Sequence, residues 1–156
     1  MKKVLIAGIT ALTLVFVGAC GNTADDNKGK ETKTEETAKQ AFKTKTVDNI
    51  DMKIGAIKTT ESTKKDKNMV SIAMSFLNND SAPVGVGAGD FKIKADGKTY
   101  TVFPQGNNFG DEFKPNEKLA GKAYFELPTS VKKGTLVYAP MDKEKASWSI
   151  TIPEAK

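Results

Sequence analysis

Few side chains in this sequence can do covalent chemistry, and their types limit what that chemistry is. The chain has one cysteine, Cys20, and no histidine among its 156 residues. Without imidazole there is no Ser-His-Asp or Cys-His relay, and the usual zinc and copper ligand sets are missing. The remaining nucleophile patterns are Ser-x-x-Lys spacings at Ser62–Lys65 and Ser130–Lys133. On a helix that spacing sets an amine one turn from a hydroxyl, as acyl-transferring enzymes require. Both copies stand in polar sequence without a helical period, so they read as solvated loops. Asp80, Asp90, Asp96, Asp111 and Glu112 offer oxygen ligands to a hard cation, with Asp111-Glu112 the best local pair. They lack Asp-x-Asp-x-Asp-Gly spacing, and turn formation accounts for them. The reading is therefore non-enzymatic: no catalytic residue, no metal and no cofactor.

Cys20 is the exception, because of what precedes it. Lys2 and Lys3 are followed by sixteen uncharged residues, Val4 to Ala19, closing on Val17-Gly18-Ala19-Cys20. Basic residues, a short apolar run and small residues before a cut are the parts of a secretory signal. The run is short for a membrane span, which needs about 20 residues. An ordinary cleaved signal would leave Cys20 as an odd free thiol in an oxidising space. The stretch resembles the lipobox of bacterial lipoproteins. That resemblance implies diacylglyceryl transfer to the Cys20 sulfur, cleavage before it, and attachment to the extracytoplasmic face of the cell membrane. Two acyl chains hold a protein stably where one is marginal. Ala11 to Val17 is also similar to the short apolar pheromones that some Gram-positive cocci cut from lipoprotein signals.

The positioning elements follow from composition. Residues 1–19 read as the signal. Residues 20–46 read as the lipidated cysteine and a disordered tether, polar except for Phe42 and unable to bury enough surface to offset ordering. Residues 47–156 read as one small folded domain. Signal removal takes two lysines and lowers the formal charge from +5 to +3. All 24 basic residues are lysine. The missing arginine argues against nucleic acid as a partner, because base and phosphate readers rely on its bidentate fork.

From Ile50 the apolar residues recur with period two, as in strands with one buried face. Ile50, Met52 and Ile54 form one such set. Val70, Ile72, Met74 and Phe76 form the clearest, read as a central strand. A polar loop spans Thr59 to Asn68. Phe91, Ile93 and Ala95 lead through Asp96-Gly97, a type I′ hairpin signal, into Lys98 to Phe103. Leu119 to Leu127, Leu136 to Ala139 and Ser147 to Ile152 complete about seven strands of an all-β, immunoglobulin-like antiparallel sandwich.

The core and turn pattern resembles the telokin-like, immunoglobulin-fold lipoprotein domains of low-GC Gram-positive bacteria, related to secreted immunoprotective antigens. The matching residues are Val70 to Phe76 with Asn78, Asp90-Phe91, Asp96 to Tyr100, Gly121 to Phe125 with Pro128, and Tyr138-Ala139-Pro140 before Trp148. That family implies a sandwich at an envelope surface and brings no catalytic residues. Pro104 to Asn116 reads as the longest loop, and Phe109, Asp111, Glu112 and Phe113 as a candidate partner-binding tip. The bland alternative is that the phenylalanines fold back onto the sandwich. Two functions remain open: a membrane-anchored binding or display module with a protein or cell-wall partner, and a small-ligand or metal-capture lipoprotein serving a transporter. A filled core favours the first, and an apolar cavity with convergent polar groups the second.

Overall fold

Alternating apolar residues give the chain two faces to bury, and it buries them against each other. The computed structural model describes residues 40–156. Its strands are β1 (Lys45–Val47), β2 (Ile50–Glu61), β3 (Lys67–Asn78), β4 (Val84–Gly87), β5 (Phe91–Ala95), β6 (Lys98–Thr101), β7 (Gly110–Phe113), β8 (Lys118–Pro128), β9 (Lys133–Tyr138) and β10 (Ala146–Thr151). One sheet has the order β1-β2-β3-β8, a second β10-β9-β5-β6, and β4 and β7 form a separate ribbon. Every pairing is antiparallel. Helical structure among the described residues is limited to short 3-10 turns at Ala88–Asp90 and Pro140–Asp142.

The predicted inward sets face each other across the two sheets. Val70, Ile72, Met74 and Phe76 of β3 are buried, and β3 lies between β2 and β8 as a central strand should. Phe91, Ile93, Leu136, Trp148 and Ile150 supply the opposing layer. Phe76 meets Phe91 across the interface with ring centroids 5.9 Å apart, and Phe91 meets Tyr138 at 5.1 Å. The Asp96-Gly97 hairpin has positive φ at both positions, 50° and 70°, as a type I′ turn requires.

Two strands differ from the reading of the sequence. β2 continues to Glu61, so the predicted loop over Thr59 to Asn68 shrinks to residues 62–66. Its register with β3 shifts between Ile54 and Ile57, where one extra residue makes a bulge. The bulge reverses the alternation, so Ile57 and Thr59 face inward after Ile50, Met52 and Ile54. A constant period-two pattern therefore ends at Gly55 although the strand does not. Gly55 sits there because a Cβ would lie 3.3 Å from the Ala73 carbonyl oxygen.

The second difference is at the start. Lys45 and Thr46, placed in the tether by composition, begin β1, and β1 turns into β2 through Asp48 and Asn49 with positive φ. Residues 40–44, before β1, lie along β10. Thr151 N–H donates to Gln40 Oε1 (3.0 Å), Trp148 Nε1 to the Lys43 carbonyl (3.2 Å), and Lys45 Nζ to the Ser147 carbonyl (2.6 Å). Phe42 packs on the core. The N-terminal segment thus joins β2 in one sheet and lies against β10 in the other.

The sandwich has two ends. The end where the described chain begins holds turn 62–66, hairpin 96–97 and loop 129–132; it is called proximal here. The distal end holds turns 48–49, 79–83, 114–117 and 139–145. Starting the protein at residue 48 instead of residue 20 removes β1 and uncovers Trp148. The expected result is a loss of about 1–3 kcal/mol of unfolding free energy in urea. An unchanged midpoint would show that residues 40–47 do not belong to the folded unit.

Candidate functional site

The candidate tip is built on the core. β7 occupies Gly110–Phe113 of the predicted loop and pairs with β4, Val84 against Phe113 and Gly87 against Gly110. Phe113 is only 4% exposed. Phe109 packs against the core cluster, with its ring 5.1 Å from Phe76 and 6.1 Å from Phe91. Its Cβ would lie 2.3 Å from a Cβ at position 121, so Gly121 is the socket that lets Phe109 rest on β8. The aromatic side chains of the loop thus fold back, while Asp111 and Glu112 between them are exposed. A glycine inside the β8 strand pattern was the available sign of this close approach. Cys20, the lipidation candidate, and Ala11 to Val17 lie outside the described residues.

Asn78 organises the distal end. It is fully buried, and its Nδ2 donates to the carbonyls of Ala82 (2.9 Å) and Phe113 (3.0 Å). Its Oδ1 accepts from Asp80 N–H at 2.8 Å. Its backbone N–H donates to Glu117 and its carbonyl accepts from Asn116. One amide thereby fixes the 79–83 turn to the 113–117 segment, with both its N–H donors and its oxygen engaged. Beside it, Asn49 Nδ2 donates to the Asp80 carboxylate, as do the backbone N–H groups of Ser81 and Ala82. Those donors hold the Asp80 carboxyl below its usual range, the Asn49 bond contributing most. Met141 projects from the same end, 86% exposed and with positive φ.

The nucleophile patterns meet no catalytic geometry. Ser62 and Lys65 lie in the turn between β2 and β3, not on a helix. Ser62 Oγ donates to Glu126 Oε1 at 3.0 Å, and Lys64 Nζ reaches Glu126 Oε2 at 2.7 Å. The Lys64 bond leads in holding the Glu126 carboxyl below its ordinary value. Ser130 and Lys133 flank the loop before β9. Both spacings reach the proximal end, where Thr129 N–H donates to the Asp66 carbonyl at 3.0 Å. The predicted acids are spread out. Asp90 caps Gly87 N–H (3.0 Å), Asp96 makes the hairpin, and Asp80 its own turn. Among the described residues no group of three or more His, Cys, Asp or Glu is placed to hold a metal.

What the sequence did not single out is a lysine-lined depression at the proximal end. Lys64, Lys65, Lys67 and Lys132 surround it with Glu61 as the one lining carboxylate. Lys64, Lys65 and Lys67 are neighbours in sequence, and strand pairing brings Lys132 beside them. A second shallow depression lies on the outer face of β5, β9 and β10, beside Gln40 and Thr151. Both are open to solvent.

Two antiparallel sheets enclosing one apolar core define an immunoglobulin-like β-sandwich. The chain belongs to the family described as Domain of unknown function (DUF4352), whose model matches residues 32–147. It is similar in fold to the Bacillus subtilis protein YcdA, a candidate lipoprotein by its description. The TM-score is 0.59 at 17% identity, over 72% of this chain and 39% of that one. The chain thus spans about two fifths of that relative's length. It also resembles MPT63, a secreted protein of Mycobacterium tuberculosis, with a TM-score of 0.53 at 15% identity over 65% of this chain and 82% of that one. No curated protein matches the chain in sequence.

Two outcomes test this arrangement. Phe109→Ser and Phe113→Ser should each cost about 3–5 kcal/mol of stability, read from urea unfolding. An unchanged midpoint would return them to a recognition role. Burial, with smaller contributions from Asp90 and Asp48, pushes the Tyr138 hydroxyl from 10.0 up to about 12. Below pH 10 the phenol is neutral in both folded and unfolded chains. Above it the unfolded chain ionises first, so stability falls as pH rises towards 12, by up to about 1.4 kcal/mol per pH unit. Tyr138→Phe should remove that component of the decline between pH 10 and 11.5, while the lysine titrations stay common to both proteins. Parallel pH curves would contradict it.

Proposed function

We propose that this protein is a lipid-anchored, extracytoplasmic module that binds or displays at the cell envelope without catalysing a reaction. The observation that carries the reading is Val17-Gly18-Ala19-Cys20 behind Lys2-Lys3 and an uncharged run. The descriptions of YcdA and MPT63, a candidate lipoprotein and a secreted protein, agree with work outside the cytoplasm. The folded unit suits a non-catalytic role. Its one cysteine precedes the sandwich and it has no histidine. Its Ser-x-x-Lys pairs lie in turns, and Ser62 is engaged by Glu126. Such a module acts through its rigid surfaces.

Capture of a small ligand for a transporter receives less support. The apolar side chains converge on a common core cluster, and the described depressions are open surface features with charged and hydroxyl linings. An apolar ligand is held by enclosed apolar surface with a few convergent polar groups.

Growing cells with radiolabelled palmitate tests the anchor. The wild-type chain should carry the label and sediment with membranes. Cys20→Ala should lose the label and keep its signal uncleaved, seen as a larger band. Label persisting in Cys20→Ala, or a wild-type product without lipid, would overturn the reading.

A further inference from the structure

We infer that the proximal end of the sandwich is a contact surface for an anionic bilayer, so that the domain stands upright on the membrane with its distal turns outward. The inference deepens the proposed anchoring and takes its side of the membrane from that reading, but its evidence is in the folded unit. Three observations converge.

The first is the lysine-lined depression. Lys64, Lys65, Lys67 and Lys132 come from the β2–β3 turn, the start of β3 and the loop before β9, facing a single lining carboxylate, Glu61. Two other acids at this end, Asp66 and Asp96, stand in its turns, and two more are ion-paired. Glu126 receives Lys64 at 2.7 Å, and Glu154 lies 3.8 Å from Lys132. Both lysines are more than half exposed, and exposed pairs of this kind are weak enough to exchange partners. A lysine ammonium is a compact point charge on a long stem, which suits the diffuse phosphate layer of lipid headgroups.

The second is the direction of the chain. Gln40 sits against Thr151 at the end of β10, and the chain runs from there through β1 towards the distal turn at Asp48 and Asn49. The N-terminal side of the protein therefore joins the sandwich at the lysine end. A lipid on that side and a basic surface at the same end are the two signals that together hold a protein firmly and in one orientation.

The third is the opposite end. Acids outnumber lysines towards the distal turns, with Asp80, Asp111 and Glu112 outside the ion pairs that Asp48, Asp142 and Glu144 make with Lys145, Lys92 and Lys94. That polarity along the strand axis resists an inverted or flat-lying pose on a negative surface. An anionic soluble polymer would use the same lysines but would gain nothing from the point where the chain joins. The bilayer accounts for both.

The test uses the chain from residue 20 with Cys20→Ser and no lipid. The buried core lies within Ile50 to Ile152, so this chain carries the whole folded unit. It is sedimented with vesicles of phosphatidylglycerol or of phosphatidylcholine at low salt. Binding is expected to phosphatidylglycerol only and to weaken with added salt. The variant Lys64→Gln, Lys65→Gln, Lys132→Gln, Lys133→Gln should bind about tenfold or more weakly. The distal variant Lys53→Gln, Lys114→Gln, Lys118→Gln, Lys143→Gln should keep most binding, although its net charge falls equally. Unfolding midpoints check that both fold. Should the first variant fail to fold, Lys65→Gln with Lys133→Gln gives the same reading with a smaller loss. Equal losses in the two variants, equal binding to phosphatidylcholine, no vesicle binding, or binding confined to a soluble glycerol-phosphate polymer would each overturn the inference. Because no lipid is attached, these results stand apart from palmitate labelling at Cys20.

Discussion

The end at which the chain enters the sandwich depends on residues 40–47 lying across both sheets. Their backbone pairs with β2 in one sheet, while Gln40, Lys43 and Lys45 bond to β10 in the other. Lys45 also sits 5.5 Å over the Trp148 ring. Indole is a good cation–π acceptor, and its N–H needs a partner when buried. The segment meets both needs of Trp148, covers part of the β10 edge, and fixes the end at which the chain leaves the fold.

Around that constraint the sandwich is held without a disulfide, since the one cysteine, Cys20, precedes it. The aromatic group Phe76, Phe91, Phe109 and Tyr138 bridges the layers near the distal end. The β4–β7 ribbon is tied to the rest by Phe109, whose N–H donates to the Lys122 carbonyl (3.0 Å) and whose carbonyl accepts from Ala88. Asn78 joins the surrounding turns. The distal end is consequently well ordered by hydrogen bonds and ring packing, while the proximal end presents long, exposed lysines.

The sequence made much of this legible. Strict alternation in β3 and β8 showed the core face, because a strand with one buried side must repeat every second residue. Asp96-Gly97 identified its hairpin, because few residue pairs tolerate positive φ in succession. The bulge in β2 was illegible, since one inserted residue switches faces without changing residue types. β1 was hidden for another reason. Its side chains are mostly exposed, and it is held by backbone pairing and by lysine and glutamine contacts that leave no apolar signature. The burial of Phe109 and Phe113 could be read only by pairing them with Gly121 and β4. The lysine depression needed strand pairing to bring Lys132 beside Lys64, Lys65 and Lys67.

Height above the bilayer tests the central claim most directly. A spin label is placed at Lys65→Cys or at Met141→Cys in the lipid-anchored protein, and its relaxation by a paramagnetic headgroup is measured. A strand of twelve residues, the length of β3, spans about 40 Å. An upright domain predicts strong relaxation at position 65 and almost none at position 141. Equal relaxation at both positions, or the reverse order, would contradict it.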